Sequence, residues 1–158
     1  MANVKLGTKA VGSIVKIKVN GASKDFIVVQ QGNPNTSTYD SSCAGTWLLM
    51  KDIYTTSTFG NSNSYKDSSI HTYLNGTFYN LIDSNIRAAI KQVKIPYQNG
   101  TGSGGSLATG SNGLSTKVFL LSGYEVGWAH NALPKDGAKL DYFGSGSGGN
   151  SKRVAYNG

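Results

Sequence analysis

The stretch Thr116 to Trp128 reads TKVFLLSGYEVGW, and the reading of the fold starts from it. Val118 to Leu121 form an unbroken apolar run of strand length, the pattern of a strand buried on both faces. Ser122-Gly123 then signals a turn, and Tyr124, Glu125 and Trp128 follow closely. Two earlier segments match the run as partners: Trp47 to Met50 (WLLM) and the alternating stretch from Val11 to Val19. Together the three predict the core of a single compact α+β domain with small antiparallel sheets, two or three short helices and long Gly/Ser-rich loops.

Met1 to Ala10 reads as a polar N-terminal arm, which leaves 11–158 as the domain. In VGSIVKIKV, apolar and polar residues alternate, as in a half-buried strand with Lys16 and Lys18 on its wet face. Asn20-Gly21 favours a type I′ turn, because both residues tolerate positive φ. Asp25 to Gln30 (DFIVVQ) returns as the second strand of a hairpin, with a loop slightly longer than two residues. Asp67 or Ser68 can cap a helix whose stripe is Ile70, Tyr73, Leu74, Phe78, Leu81 and Ile82. Asn75-Gly76 interrupts this stripe and predicts two short helices with a kink between them. Asp83-Ser84 caps a further helix, Asn85 to Ile90, and Val93 to Ile95 is a strand that Pro96 ends. Tyr97 to Ser115 is nearly bare of large side chains, the composition of a long surface loop. Leu140 and Phe143 can pin a helical turn within 136–143, and Lys152 to Tyr156 (KRVAY) begins a last strand.

The chain has 158 residues, enough for one domain with its own core. Charged residues make up only 15% and Gly numbers 21, so hydroxyls and amides must coat much of the surface. The single cysteine, Cys43, excludes an intrachain disulfide. Net charge is +7, but the cations are scattered and no basic-aromatic signature accompanies them, which argues against a nucleic-acid partner. No run reaches membrane-spanning length, so no membrane insertion is expected, and no secretory signal is legible at the start.

Little in the sequence suggests catalysis. Cys43 with His71 or His130 would need an orienting acid, and Cys43 lies in no nucleophile motif. The acids are dispersed without the spacing of a calcium loop, and Gly102 to Gly105 (GSGG) lacks the strand before it and the Gly-Lys-Ser/Thr after it that a phosphate loop needs. The expectation is therefore no enzyme, no catalytic residue, no metal and no cofactor. Binding through aromatics remains. Tyr124, Glu125, Trp128, His130 and Asn131 form a candidate ligand cluster, with Tyr39, Asp40 and Tyr65 in other loops that could join it. The plainer reading of Tyr124 and Trp128 is core.

Five pieces taken together resemble a domain family common in phages and prophages of Firmicutes, often found in tail-fibre and other virion proteins. They are FIVVQQG (26–32), TWLLMKDIY (46–54), the long segment 68–97, KVFLLSGYEVG (117–127) and KRVAY (152–156). The family is similar to C-type-lectin-like folds, including the formylglycine-generating-enzyme branch. That branch's oxidase chemistry uses a pair of cysteines, and this chain has one. The calcium-holding Glu-Pro-Asn and Trp-Asn-Asp motifs of sugar-binding lectins are also absent. Family members continue from the KRVAY-like segment into Trp-Trp-Leu-Arg-Ser-Pro, before which this chain ends, so the expected C-terminal strand is either shortened or completed by a second chain. The resemblance implies a receptor-binding virion domain that attaches to a bacterial surface glycan or to an anionic wall polymer such as teichoic acid. The alternative is a capsid-decoration or assembly protein whose partners are other virion chains, including copies of itself. Either would be made in the bacterial cytoplasm and reach the virion or the extracellular space on lysis.

Overall fold

A computed structural model describes residues 5–61, 63–99, 105–128, 135–144 and 147–157. Strands β1 (Ile14–Val19), β2 (Ala22–Gln31) and β3 (Thr46–Met50) form an antiparallel sheet with β2 in the middle. Val19 pairs with Ala22 across a minimal two-residue turn. Asn20 and Gly21 there have φ of 50° and 76°, the signature of a type I′ turn. The loop is shorter than the sequence suggests. A primed turn already carries the right-handed twist of its strands, so pairing starts at Ala22 without needing apolar side chains. Lys16 and Lys18 are exposed while Ile17 and Val19 are buried, and Lys16 meets Asp25 of β2 at 2.7 Å.

The sheet divides the core. On one side Ile17, Val19 and Phe26 pack with Leu74, Phe78 and Ile82 of the helical segment. On the other, Val29 and Trp47 pack with Tyr39, Cys43, Leu140 and Phe143. A bulge between Val28 and Gln30 interrupts the β2–β3 ladder. Beside it the Val29 carbonyl accepts from Tyr142 N at 3.1 Å, and Gln30 Oε1 accepts from Asp141 N at 2.8 Å. The bulge thereby docks the 140–143 turn, which closes through a bond from Phe143 N to Leu140 O.

Ser68 caps the helical run, accepting from His71 N. The run does not break at Asn75-Gly76. It passes from α1 (Ser69–Tyr73) through a π-helical turn (Leu74–Phe78) into α2 (Tyr79–Leu81). The wider turn aims Asn75 at the 116–118 backbone. Its Oδ1 accepts from Thr116 Oγ1, Lys117 N and Val118 N, and its Nδ2 donates to the carbonyls of His71 and Val118. Asp83 caps α3 (Ser84–Arg87), which ends before Ile90 in bonds of three-residue span.

Three further expectations are corrected. The strand of the 116–128 stretch lies earlier: β7 (Leu114–Thr116) pairs with β4 (Val93–Ile95), while Val118 to Leu121 belong to no strand. Asn75 bonds the backbone of 117–118, and Tyr65 Oη accepts from Leu120 N, so side chains take the place of a neighbouring strand. Val118 packs on the helix-side cluster, Phe119 and Leu121 on the other, and Leu120 is 49% exposed. The segment 97–115 is not one long loop. β5 (Tyr97–Asn99) pairs with β6 (Ser106–Ala108), since backbone pairing needs few large side chains. Lys152 to Tyr156 is no strand either: a 3-10 helix (Ser147–Lys152) leads into an extended end with one parallel bridge, Ile53 to Asn157. Val154 and Tyr156 are both exposed, so the segment has no inward-facing side to pack. The whole is an α+β domain of small antiparallel sheets and a few short helices. No described helix is long and apolar enough to cross a membrane. The arm is tied down where Gln31 Nε2 donates to the carbonyls of Leu6 and Lys9.

Candidate functional site

Ser122 to Trp128 forms one closed turn, locked at both ends. At its start Ser122 Oγ accepts from Glu125 N, and Glu125 Oε2 accepts from Ser122 N at 2.8 Å. This is the reciprocal capping box of the pattern S-x-x-E. At its end Gly127 has φ of 76°, Gly127 N donates to Tyr124 O, and Trp128 N donates to Gly123 O at 2.8 Å. That pair of bonds is a Schellman motif, which requires a left-handed residue at the position Gly127 occupies. Trp128 thus leaves the turn on a fixed backbone.

Beneath the turn lies a buried acid. Glu125 is 2% exposed, and its Oε1 accepts from Tyr39 Oη at 2.7 Å. The strap 135–140 closes over it: Ala138 N donates to Tyr39 Oη, and Leu140 N to the Glu125 carbonyl. Gly137 lies so close that a Cβ there would come within 2.9 Å of Glu125 Cγ, Ser122 Oγ and Tyr39 Oη. Desolvation pushes the Glu125 carboxyl up to about 7, against the bonds from Ser122 and Tyr39 that favour its charge. Burial also raises Asp136, which the Ser122 hydroxyl draws part of the way back. Burial and the Glu125 charge push the Tyr39 phenol far up.

Above the turn, Trp128 is 49% exposed, with the Arg153 guanidinium 5.5 Å from its ring centroid. Arg153 donates to the carbonyls of Val126, Gly127 and Gly144 and to Asn150 Oδ1. Lys152 Nζ bonds the Tyr142 carbonyl, and Lys139 Nζ that of Phe143. Three consecutive carbonyls, 142 to 144, are therefore each met by a cation, and of the three Arg153 lies against the Trp128 ring.

Of the candidate ligand residues, Tyr124 is half-buried, Glu125 is buried under the turn, and Trp128 stands at the surface. His130 and Asn131 lie outside the described residues. Tyr39 does join the group, but from beneath. Asp40 instead accepts from Ser42 N, and Tyr65 supports Leu120. In the sequence Ser122-Gly123 reads only as a turn, and the helix-turn start and stop at Ser122 and Gly127 are missed, although S-x-x-E followed by Gly is legible. Arg153 gave no local signal, because its partners come from three separate segments.

The Cys43 thiol is buried and donates to the Lys94 carbonyl, and desolvation raises it to about 11, the opposite of an activated nucleophile. The His71 ring packs edge-on against Tyr65 and next to Asn75. Among the described residues, no group of three or more His, Cys, Asp or Glu side chains is placed to hold a metal.

Fold and site define a small α+β domain that holds one aromatic side chain outward on a locked turn. The chain belongs to a family defined by a domain of unknown function, DUF6273, which matches residues 44–158. The match spans β3 and everything after it, whereas the FIVVQQG piece of the resemblance lies outside it. No curated protein and no solved structure matches the chain.

Proposed function

We propose that this protein is a non-enzymatic binding domain of C-type-lectin-like fold, carried on a phage or prophage virion and attaching to a bacterial surface glycan or anionic wall polymer. One observation carries the reading: Trp128 is half exposed on a turn locked at both ends, with the Arg153 guanidinium over its ring and Lys139 and Lys152 bonded to carbonyls of the adjoining 142–144 segment. An aromatic face suits the C–H groups of a sugar or polyol, and a rigid platform loses little entropy on binding. The cations and the net charge of +7 would steer a polyanion to it. Phage association is supported by the motif resemblance alone.

The test is binding of the labelled domain to intact Gram-positive cells at low and high salt. Saturable binding that Trp128→Ala lowers at least about tenfold is the expected result, a loss within the range of a truncated aromatic anchor. Binding that vanishes with salt and ignores Trp128 would reduce the interaction to charge. A second reading, a particle-assembly protein, is favoured by a different surface. Ile53, Val154 and Tyr156, the last 71% exposed, surround the Ile53–Asn157 bridge and would suit a neighbouring chain. Absence of cell binding together with a stable oligomer would favour it.

A further inference from the structure

Glu125 serves two structures at once. Its Oε2 closes the capping box of the Trp128 turn, and its Oε1 meets Tyr39 Oη, the same oxygen that receives Ala138 N from the strap. Asp136, on that strap, shares the Ser122 hydroxyl with it. Among the described residues no Lys or Arg bonds either oxygen of Glu125. The neighbouring cations Lys139, Lys152 and Arg153 bond backbone carbonyls instead. Among the described residues the titratable groups facing it are Asp136 from the strap, Tyr39 from the segment after β2, and, at longer range, Cys43 and Tyr65. All of these are negative or neutral. An acid in such a place is at home when it holds a proton and out of place when ionised.

We propose that Glu125 is a pH-sensitive latch: protonated, it clamps the 135–140 strap to the Trp128 turn, and ionised it loosens both. The 2.7 Å bond from Tyr39 serves either state, the phenol donating to a carboxylate oxygen when the acid is ionised and to its carbonyl oxygen when it is protonated. Ionisation places an unpaired charge in the core, beside a second carboxyl whose own charge is disfavoured by burial. Gly137 approaches the acid so closely that no side chain fits between the strap and Glu125. The latch rests on the proposed function only for its consequence, that Trp128 is held most firmly on the acid side of neutrality.

The sign follows from proton counts. Glu125 rises from the ordinary glutamate value of 4.5 to about 7 on folding, so between these values the folded chain binds more protons than the unfolded one. The contribution of Glu125 to stability is therefore full below 4.5, falls as pH rises to about 7, and is lost above it. Asp136 acts with the same sign. His71, lowered by burial, acts with the opposite sign as pH rises toward 6.5, so the latch is read as a difference between wild type and variant.

The experiment is thermal unfolding of the whole chain from about pH 5 to about pH 8 for wild type, Glu125→Gln and Asp136→Asn. The wild-type midpoint is expected to fall by about 5 °C or more relative to Glu125→Gln over that range, with Asp136→Asn intermediate. Amide exchange at Trp128, corrected for intrinsic rate, should speed up over the same range in wild type alone. A Glu125→Gln midpoint that falls as steeply as wild type overturns the latch. If that variant does not fold, carbon NMR of the wild-type side-chain carboxyls decides. Titration of Glu125 near neutrality upholds the latch, and titration at the ordinary glutamate pH overturns it. Neither readout needs a ligand, so failure of cell binding and failure of the latch are separate results.

Discussion

Two glycines with positive φ show how one residue type does different work. At Gly21 a Cβ would meet nothing within 4 Å, whereas at Gly127 it would run into the Gly144 carbonyl and come within 3.2 Å of the Arg153 guanidinium. Gly21→Ala should therefore cost only the left-handed backbone penalty, about 1 kcal/mol. Gly127→Ala should cost about 2–4 kcal/mol, because crowding adds to that penalty. Denaturant unfolding of the two variants measures the difference, and equal costs would mean that Gly144 and Arg153 are not packed against the turn. Glu125 was legible as an acid next to aromatics. That it lies beneath the turn was not, because the sequence does not say which side of the turn the strap 135–140 will cover.

Among the elements, the apolar run 118–121 has the composition of a strand and none of its pairing. The π-helical turn accounts for this by presenting Asn75, whose amide bonds four main-chain groups and the Thr116 hydroxyl and also meets the His71 ring. Asn75→Ala would orphan buried donors and acceptors together, and a loss of about 2–4 kcal/mol is expected. Asn75→Asp keeps the acceptor side but sets a carboxylate oxygen against the His71 and Val118 carbonyls, so its cost should equal or exceed that of Asn75→Ala. A clearly smaller cost for Asn75→Asp, measured by denaturant unfolding, would show that the acceptor side carries the effect. The same lesson holds at β5 and β6. Apart from Tyr97 and Leu107 their residues are small or polar and announce no strand, yet the backbone pairs, because a ladder depends on main-chain groups rather than side-chain volume.

Across the whole molecule, the two core clusters lie on opposite sides of one thin sheet, and Cys43 is buried within the cluster that contains Trp47 and Leu140. With its thiol raised to about 11 and buried at 2% exposure, Cys43 reports on opening of that half of the core. Under native conditions near pH 8 its reaction with a disulfide reagent should be at least about a hundredfold slower than in denaturant, as both burial and a low thiolate fraction demand. A rate close to that of the unfolded chain would mean that this cluster opens locally.

What the sequence determined by itself is whatever neighbouring residues decide together. The Asn20-Gly21 hairpin, the caps at Ser68 and Asp83, the strand at Val93 and the α+β class all follow from local φ preferences, capping chemistry and apolar period. Tertiary structure alone decided the rest. It let side chains from 65 and 75 replace a strand partner for 117–120, drew Arg153 to three distant carbonyls, and placed Glu125 under a strap where no described Lys or Arg bonds its carboxyl. Each of these depends on residues far apart in the chain coming within 3 Å or so of one another, and spacing along a sequence carries no record of that approach.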